Sequence, residues 1–175
     1  KPYDEISNNG LIKHLMIRTN KQNEVMVIIV TSKEKLPYKN EIAQTLTKEI
    51  PEIKSIIQNI NKNQTNVILG RKNKVIYGEE ILKDTIFDLQ FSISPHSFFQ
   101  VNPTQTEILY NKAIEYAQLT GKETVFDIYC GIGTISLLLA KKAKMVYGIE
   151  VVDQAIINAR ENAEKNKISN AKFYT

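Results

Sequence analysis

The chain has a single cysteine, Cys130, in 175 residues. One thiol can form no disulfide within the chain and supplies no cysteine-rich metal site. The two histidines, His14 and His96, stand at no ligand spacing to it or to any acid, so no metal centre is expected and both read as surface or capping residues. No apolar run reaches the roughly 20 residues of a membrane-spanning helix, and the start carries no signal-peptide pattern. A cytoplasmic protein with no membrane partner is therefore expected. Neither sign of charge dominates: 23 Lys and Arg against 19 Asp and Glu leave +4. That balance permits an anionic partner such as RNA without requiring one. Charged residues at 24% and apolar residues at 42% exclude wholesale disorder and suffice for a core.

What is present centres on Thr124–Glu150. A short apolar run, Thr124 to Ile128, meets a glycine pair at Gly131 and Gly133; an apolar helical segment and a second buried run follow, ending on Glu150. Strand, tight turn, helix, strand is the opening unit of a nucleotide-type crevice in a parallel sheet. The turn points free helix N–H groups toward a ligand. A dinucleotide loop needs a third glycine, and Ser136 stands in its place. Glu150, about 20 residues past the turn, is placed to accept from both ribose hydroxyls. S-adenosylmethionine has a ribose but no phosphates, so it fits a short glycine loop better than a dinucleotide does. A packing turn with no ligand is the third reading.

Upstream, Leu11–Thr19 and Val25–Thr31 read as paired strands, the second without polar alternation and so central. Ile42, Ala43, Leu46 and Ile50 share one face of a helix that Pro51 stops. Ile53–Asn61, Asn66–Leu69, Val75–Gly78 and Phe87–Ile93 read as further strands, with Gly70–Lys74 a basic turn. Asn102 and Pro103 start a helix to about Leu119, its buried face carrying Leu109, Ala113, Tyr116 and Ala117. The expected organisation is an α+β domain over residues 1–94 and a parallel α/β domain over 95–175. Only three parallel strands follow residue 120, so the chain is expected to be an internal fragment, with one sheet edge and an apolar face open to non-physiological dimerisation.

Four segments together, SFFQVNP (97–103), FDIYCGIGTISLLLA (126–140), VYGIE (146–150) and NARENAEKN (158–166), resemble the RNA uracil-5-methyltransferases. IQNIN (57–61) and NVILG (66–70) resemble that family's central domain. The resemblance implies an α/β, Rossmann-like S-adenosylmethionine methyltransferase fold, truncated to its first three parallel strands and preceded by an α+β central domain. It implies donor contacts from Gln100, Tyr129, Gly131, Thr134 and Glu150. Bland alternatives are a cap or domain bridge for Gln100, a turn aromatic for Tyr129 and a solvated strand end for Glu150; Asp127 is expected only to brace the turn. The implied reaction is methylation of uracil C5 in RNA, with 23S ribosomal RNA placed ahead of transfer RNA. A thiolate adds to carbon 6, carbon 5 takes the methyl group, and a base removes the carbon 5 proton. The nucleophilic cysteine and the base are expected beyond Thr175, leaving Cys130 as packing and the chain alone inactive. An iron–sulfur cluster, carried by some relatives, could lie only upstream. A non-catalytic RNA- or partner-binding module and a small-molecule methyltransferase are the competing readings.

Overall fold

β-Branched residues fill Val25–Thr31, and such a run without polar alternation is stable where both faces of a strand are covered. The computed structural model, which describes residues 1–175, places it there. The chain forms two compact units, Lys1–Leu82 and Lys83–Thr175. In the first, β1 (Ile12–Thr19) pairs antiparallel with β2 (Val25–Thr31), and β2 pairs in parallel with β3 (Ile53–Ile60). β3 in turn pairs antiparallel with β4 (Lys72–Gly78). Every β2 residue after Val25 is buried. Helix α1 (Lys39–Glu49) bridges the parallel pair, as a crossover must. Its Ile42, Ala43 and Leu46 pack with Val27, Ile29, Ile53 and Ile56. Ile50, expected on that face, sits at the C-cap and is exposed.

Two upstream expectations are corrected. Asn66–Leu69 is not a strand. The buried Asn61 amide donates to the carbonyls of Val67 and Ile68, at 2.7 and 3.0 Å, so a side chain satisfies the backbone that a ladder would otherwise pair. The basic turn is shorter than expected, because β4 already begins at Lys72. Lys72 and Lys74 both meet Glu34 rather than projecting as a free cationic cluster; these contacts hold the Glu34 carboxyl down to about 2.

The second unit begins earlier than residue 95. Phe87–Ile93 is not one strand: β5 (Leu82–Ile86) and β6 (Leu89–Ile93) form a two-stranded sheet, turned by Phe87 and Asp88 with Phe87 in the left-handed region at φ 52°. Ile86, Leu89 and Phe91 belong to the apolar core of the downstream unit, which moves the division to Leu82/Lys83. Helix α2 (Pro103–Ala117) starts as expected, the Asn102 side chain accepting from the Gln105 N–H at 3.1 Å. Its buried face is a different one, formed by Thr106, Tyr110 and Ile114, while Leu109 and Tyr116 are exposed. Apolar residues surround this helix, so spacing alone does not select the stripe.

The remainder alternates as expected: β7 (Thr124–Ile128), α3 (Thr134–Ala140), β8 (Met145–Ile149), α4 (Asp153–Lys165) and β9 (Ala171–Tyr174). The strands run parallel in the order β7-β8-β9. Leu137, Leu138, Ile156 and Ala159 share a core with Val146 and Phe173 on one sheet face. The other face is bare: Phe126 and Ile128 are exposed, and Tyr147 stands between Phe126 and Tyr174 at ring separations of 5.4 and 6.2 Å.

Three asparagines at four-residue spacing on and just past α4 fasten it to the β6 segment. Asn158 donates toward Ser97 Oγ at 3.3 Å. Asn162 accepts from the Ser92 N–H at 2.9 Å. Asn166 accepts from the Gln90 N–H at 2.8 Å and donates to the Gln90 carbonyl at 2.7 Å. Asn162 and Asn166 thereby pair backbone groups on the edge of β6 that β5 leaves open.

Candidate functional site

The site is built from the backbone leaving β7. Tyr129 takes a left-handed conformation, φ 71°, unusual for an aromatic residue and costing about 1–2 kcal/mol. The turn is held by two N–H groups, of Tyr129 and Cys130, donating to the Ile149 carbonyl at 2.8 and 3.0 Å. The end of β7 is thereby clamped to the end of β8, one residue from Glu150. Tyr129 itself stands out from the protein, 81% exposed.

The two loop glycines have different causes. Gly131 has φ 56°, and a Cβ added there would meet nothing within 4 Å, so its surface is open. Gly133 has φ 82°, and a Cβ would lie 3.0 Å from the Phe173 ring and 3.3 Å from Ala159. Gly133 is therefore a packing glycine, whereas Gly131 leaves bare backbone facing free space. Gly148 on β8 is a further packing glycine, with a Cβ 2.5 Å from Phe173 and 2.9 Å from Cys130 Sγ.

Glu150 closes the loop from the other side. Its Oε2 accepts from the Gly131 N–H at 3.2 Å and its Oε1 from the Val152 N–H at 3.0 Å. A carboxylate offers about four acceptor directions, so each oxygen keeps a lone pair for a further donor. Two fixed carboxylate oxygens beside an open glycine surface suit the vicinal hydroxyls of a ribose. The residues present thus fit the nucleoside part of S-adenosylmethionine.

Behind the loop, Ser136 Oγ donates to Asp127 Oδ2. Burial pushes the Asp127 carboxyl up, partly offset by this bond. Thr134, half-buried, shares a hydrogen bond of 3.2 Å with the Tyr110 hydroxyl of α2. The Asn162 amide donates to the Ile132 carbonyl at 3.1 Å, tying the loop to α4. Gly131, Thr134, Tyr129 and Glu150 are thus brought into one loop system. Gln100, half-buried, lies two residues ahead of the α2 N-cap, and no hydrogen bond or ring contact joins it to that loop.

Cys130 is buried in this turn. Burial, with the nearby Asp127 and Glu150 carboxylates, pushes its thiol up to about 12. A nucleophile needs the thiolate, so Cys130 cannot attack uracil near neutral pH. No group of three His, Cys, Asp or Glu side chains could hold a metal ion. No helix is long and apolar enough to cross a membrane.

Sequence spacing alone does not point to the Ser136–Asp127 bond, to Asn162 or to Gly148 as parts of the site. For Asn162 a signal existed, the four-residue spacing of Asn158, Asn162 and Asn166. Charged and polar residues on a helix normally read as a solvated face.

Residues 119–175 match a family described as a methyltransferase domain. An uncharacterized RNA methyltransferase of Listeria innocua is 54% identical over the whole chain, which spans 39% of that relative. One of Caldanaerobacter subterraneus is 55% identical over 98% of the chain, which spans 38% of it. The crystal structure of a Pyrococcus abyssi tRNA (uracil-54, C5)-methyltransferase in complex with S-adenosyl-L-homocysteine superposes with a TM-score of 0.77. It is 30% identical, covering 97% of this chain and 40% of its own. Over its full length this chain is thus similar to part of curated RNA methyltransferases. The second unit has the S-adenosylmethionine-dependent methyltransferase fold, and the chain spans about two fifths of the curated relatives it matches.

Proposed function

We propose that this chain is part of an RNA methyltransferase that takes its methyl group from S-adenosylmethionine bound at the β7–β8 loop and places it on C5 of a uracil in RNA. The observation that carries the donor assignment is the Glu150 carboxylate, fixed by the Gly131 and Val152 N–H groups beside an unobstructed glycine. The uracil assignment is supported by the sequence segments around Gln100 and Tyr129 and by the named activity of the Pyrococcus neighbour.

When bound, S-adenosylmethionine supplies an electrophilic methyl group on a sulfonium. The chain's own residues bind and orient it. Glu150 accepts from the ribose hydroxyls, and Gly131 lets the nucleoside approach the backbone. Tyr129, held outward by its left-handed backbone, provides an aromatic wall at the loop. Thr134, steadied by Tyr110, and Gln100 supply polar contacts to the remaining part of the donor. Addition to uracil carbon 6 falls to a cysteine of the whole protein other than Cys130, and removal of the carbon 5 proton to a base there.

The test is tritium release. The whole protein, given S-adenosylmethionine and RNA labelled with tritium at uracil C5, should release label in step with methylation. Parallel reactions on 23S ribosomal RNA and transfer RNA identify the substrate, ribosomal RNA being the one expected. Methylation that leaves the C5 tritium in place would overturn the uracil assignment.

A further inference from the structure

The first unit contains a cleft that the donor site does not use. Its volume is about 420 Å³, within the ~300–1,000 Å³ range of small-ligand pockets. It is lined by Tyr3, Asn8, Lys13, His14, Gln64 and Asn66, among others. One wall is the N-terminal arm, closed on itself by reciprocal backbone bonds between Asp4 and Asn9 at 2.8 and 3.2 Å. The Asp4 carboxylate accepts from the N–H groups of Ile6 and Ser7, which keeps its carboxyl below the usual range. The opposite wall, residues 63–66, is anchored by the buried Asn61, whose Oδ1 accepts from the Asn63 N–H at 3.1 Å. Lys13 on β1 spans the floor: its Nζ donates to the Asn63 carbonyl at 2.7 Å and lies 4.9 Å from the centre of the Tyr3 ring. Both walls are thus held to one strand, and the cleft is organised before any ligand arrives.

The chemistry of the lining narrows the occupant. An aromatic ring offers a stacking surface to a base, and Asn8, Gln64 and Asn66 offer paired donors and acceptors to a base edge. Lys13 and His14 offer cationic or donor groups to a phosphate. Charge over the chain agrees. Residues 1–82 carry 13 Lys and Arg against 9 Asp and Glu, while residues 83–175 carry 10 of each, so the whole net charge of +4 belongs to the first unit. Glu5 is the one carboxylate in the lining, which disfavours a bare multivalent anion and suits a nucleotide with a single phosphodiester charge.

We infer that the cleft between the N-terminal arm and residues 63–66 holds one unpaired nucleotide of single-stranded RNA, with its base against Tyr3 and its phosphate toward Lys13. The inference rests on the RNA reading above, but concerns an anchoring site on the first unit, separate from the site of chemistry. Such a site adds affinity for an unstacked RNA segment and takes no part in methyl transfer.

The experiment is an anisotropy titration of a short, uridine-containing, labelled single-stranded RNA with the chain and two variants. Tyr3→Ala removes the stacking surface, and Gln64→Ala alters an exposed side chain whose loss leaves the fold intact. Tyr3→Ala should weaken binding by roughly tenfold or more, the usual effect of losing one base–aromatic stack, and Gln64→Ala by a smaller factor. Binding of S-adenosyl-L-homocysteine should be unchanged in both. RNA bound equally by wild type and both variants would overturn the cleft while leaving the RNA reading intact. Absence of any single-stranded RNA binding would also overturn it, the RNA reading being judged separately by tritium release from the whole protein. Uridine monophosphate displacing the oligomer at equal concentration would overturn the RNA assignment in favour of a free nucleotide.

Discussion

Replacing Asn162 with alanine should destabilise the second unit and loosen the donor loop together. Asn162 is fully buried, its Oδ1 accepting from the Ser92 N–H at 2.9 Å and its Nδ2 donating to the Ile132 carbonyl at 3.1 Å. Alanine leaves both backbone groups without these partners. Each unsatisfied buried group costs about 1–3 kcal/mol, so the pair predicts a loss of about 2–6 kcal/mol. That is a large share of the ~5–15 kcal/mol that holds an ordinary domain folded. With a urea dependence of ~1–3 kcal/mol per molar, the unfolding midpoint of this unit should fall by about 1 M or more. Urea titration followed by circular dichroism measures it. Asn166→Ala is the internal contrast. Its partner Gln90 is exposed, so water replaces the lost bonds and the change should stay below about 1 kcal/mol. Hydrogen exchange provides the second readout, with loop amides near Ile132 exchanging faster in Asn162→Ala alone. An Asn162→Ala protein within about 0.5 kcal/mol of wild type, or equal losses at the two positions, would refute the bridging role.

Other expectations follow from the same geometry. The Cys130 thiol, raised to about 12, should resist alkylation at pH 8 in the folded chain and react on unfolding; rapid native-state labelling by iodoacetamide would contradict the burial argument. Asp127 is raised by burial, so its ionised form opposes folding: any contribution from its protonated form is present below the ordinary carboxylate range and lost as pH rises through the raised value. Asp127→Asn, which can still accept from Ser136, should therefore be more stable than wild type at pH 7. The advantage should shrink as pH falls toward 4, and an advantage independent of pH would contradict the assignment. The bare sheet face with Phe126, Ile128 and Tyr147 should drive self-association, seen as a concentration-dependent mass in light scattering and weakened by Phe126→Ser. A strictly monomeric chain at high concentration would count against it. The chain alone should give no methyl transfer to 23S or transfer RNA, and clear turnover would mean that the uracil nucleophile lies within residues 1–175.

The parts legible in the sequence were those with a local cause. The Asn102-Pro103 start of α2, the alternation from β7 to β9 and the position of Glu150 each follow from residue type at a fixed spacing. Less legible were features decided by tertiary partners. The α2 face depended on which of several apolar stripes met the core, and Tyr110 and Ile114 prevailed over Leu109 and Tyr116. Asn66–Leu69 has strand composition, yet the Asn61 amide takes its carbonyls. Asn158, Asn162 and Asn166 look like a solvated helix face until β6 lies beside them. Likewise Gly131 and Gly133 are indistinguishable in sequence, and only the Phe173 ring behind Gly133 separates packing from access.

The donor site is tested most directly by calorimetric titration of the chain with S-adenosyl-L-homocysteine, comparing wild type with Glu150→Ala. Loss of charge-assisted hydrogen bonds worth about 1.5–3 kcal/mol corresponds to weakening by roughly 10- to 150-fold. The account predicts one molecule bound per chain and a loss of at least that lower factor in the variant. Equal affinity in the two proteins would contradict the assignment of Glu150 to the ribose.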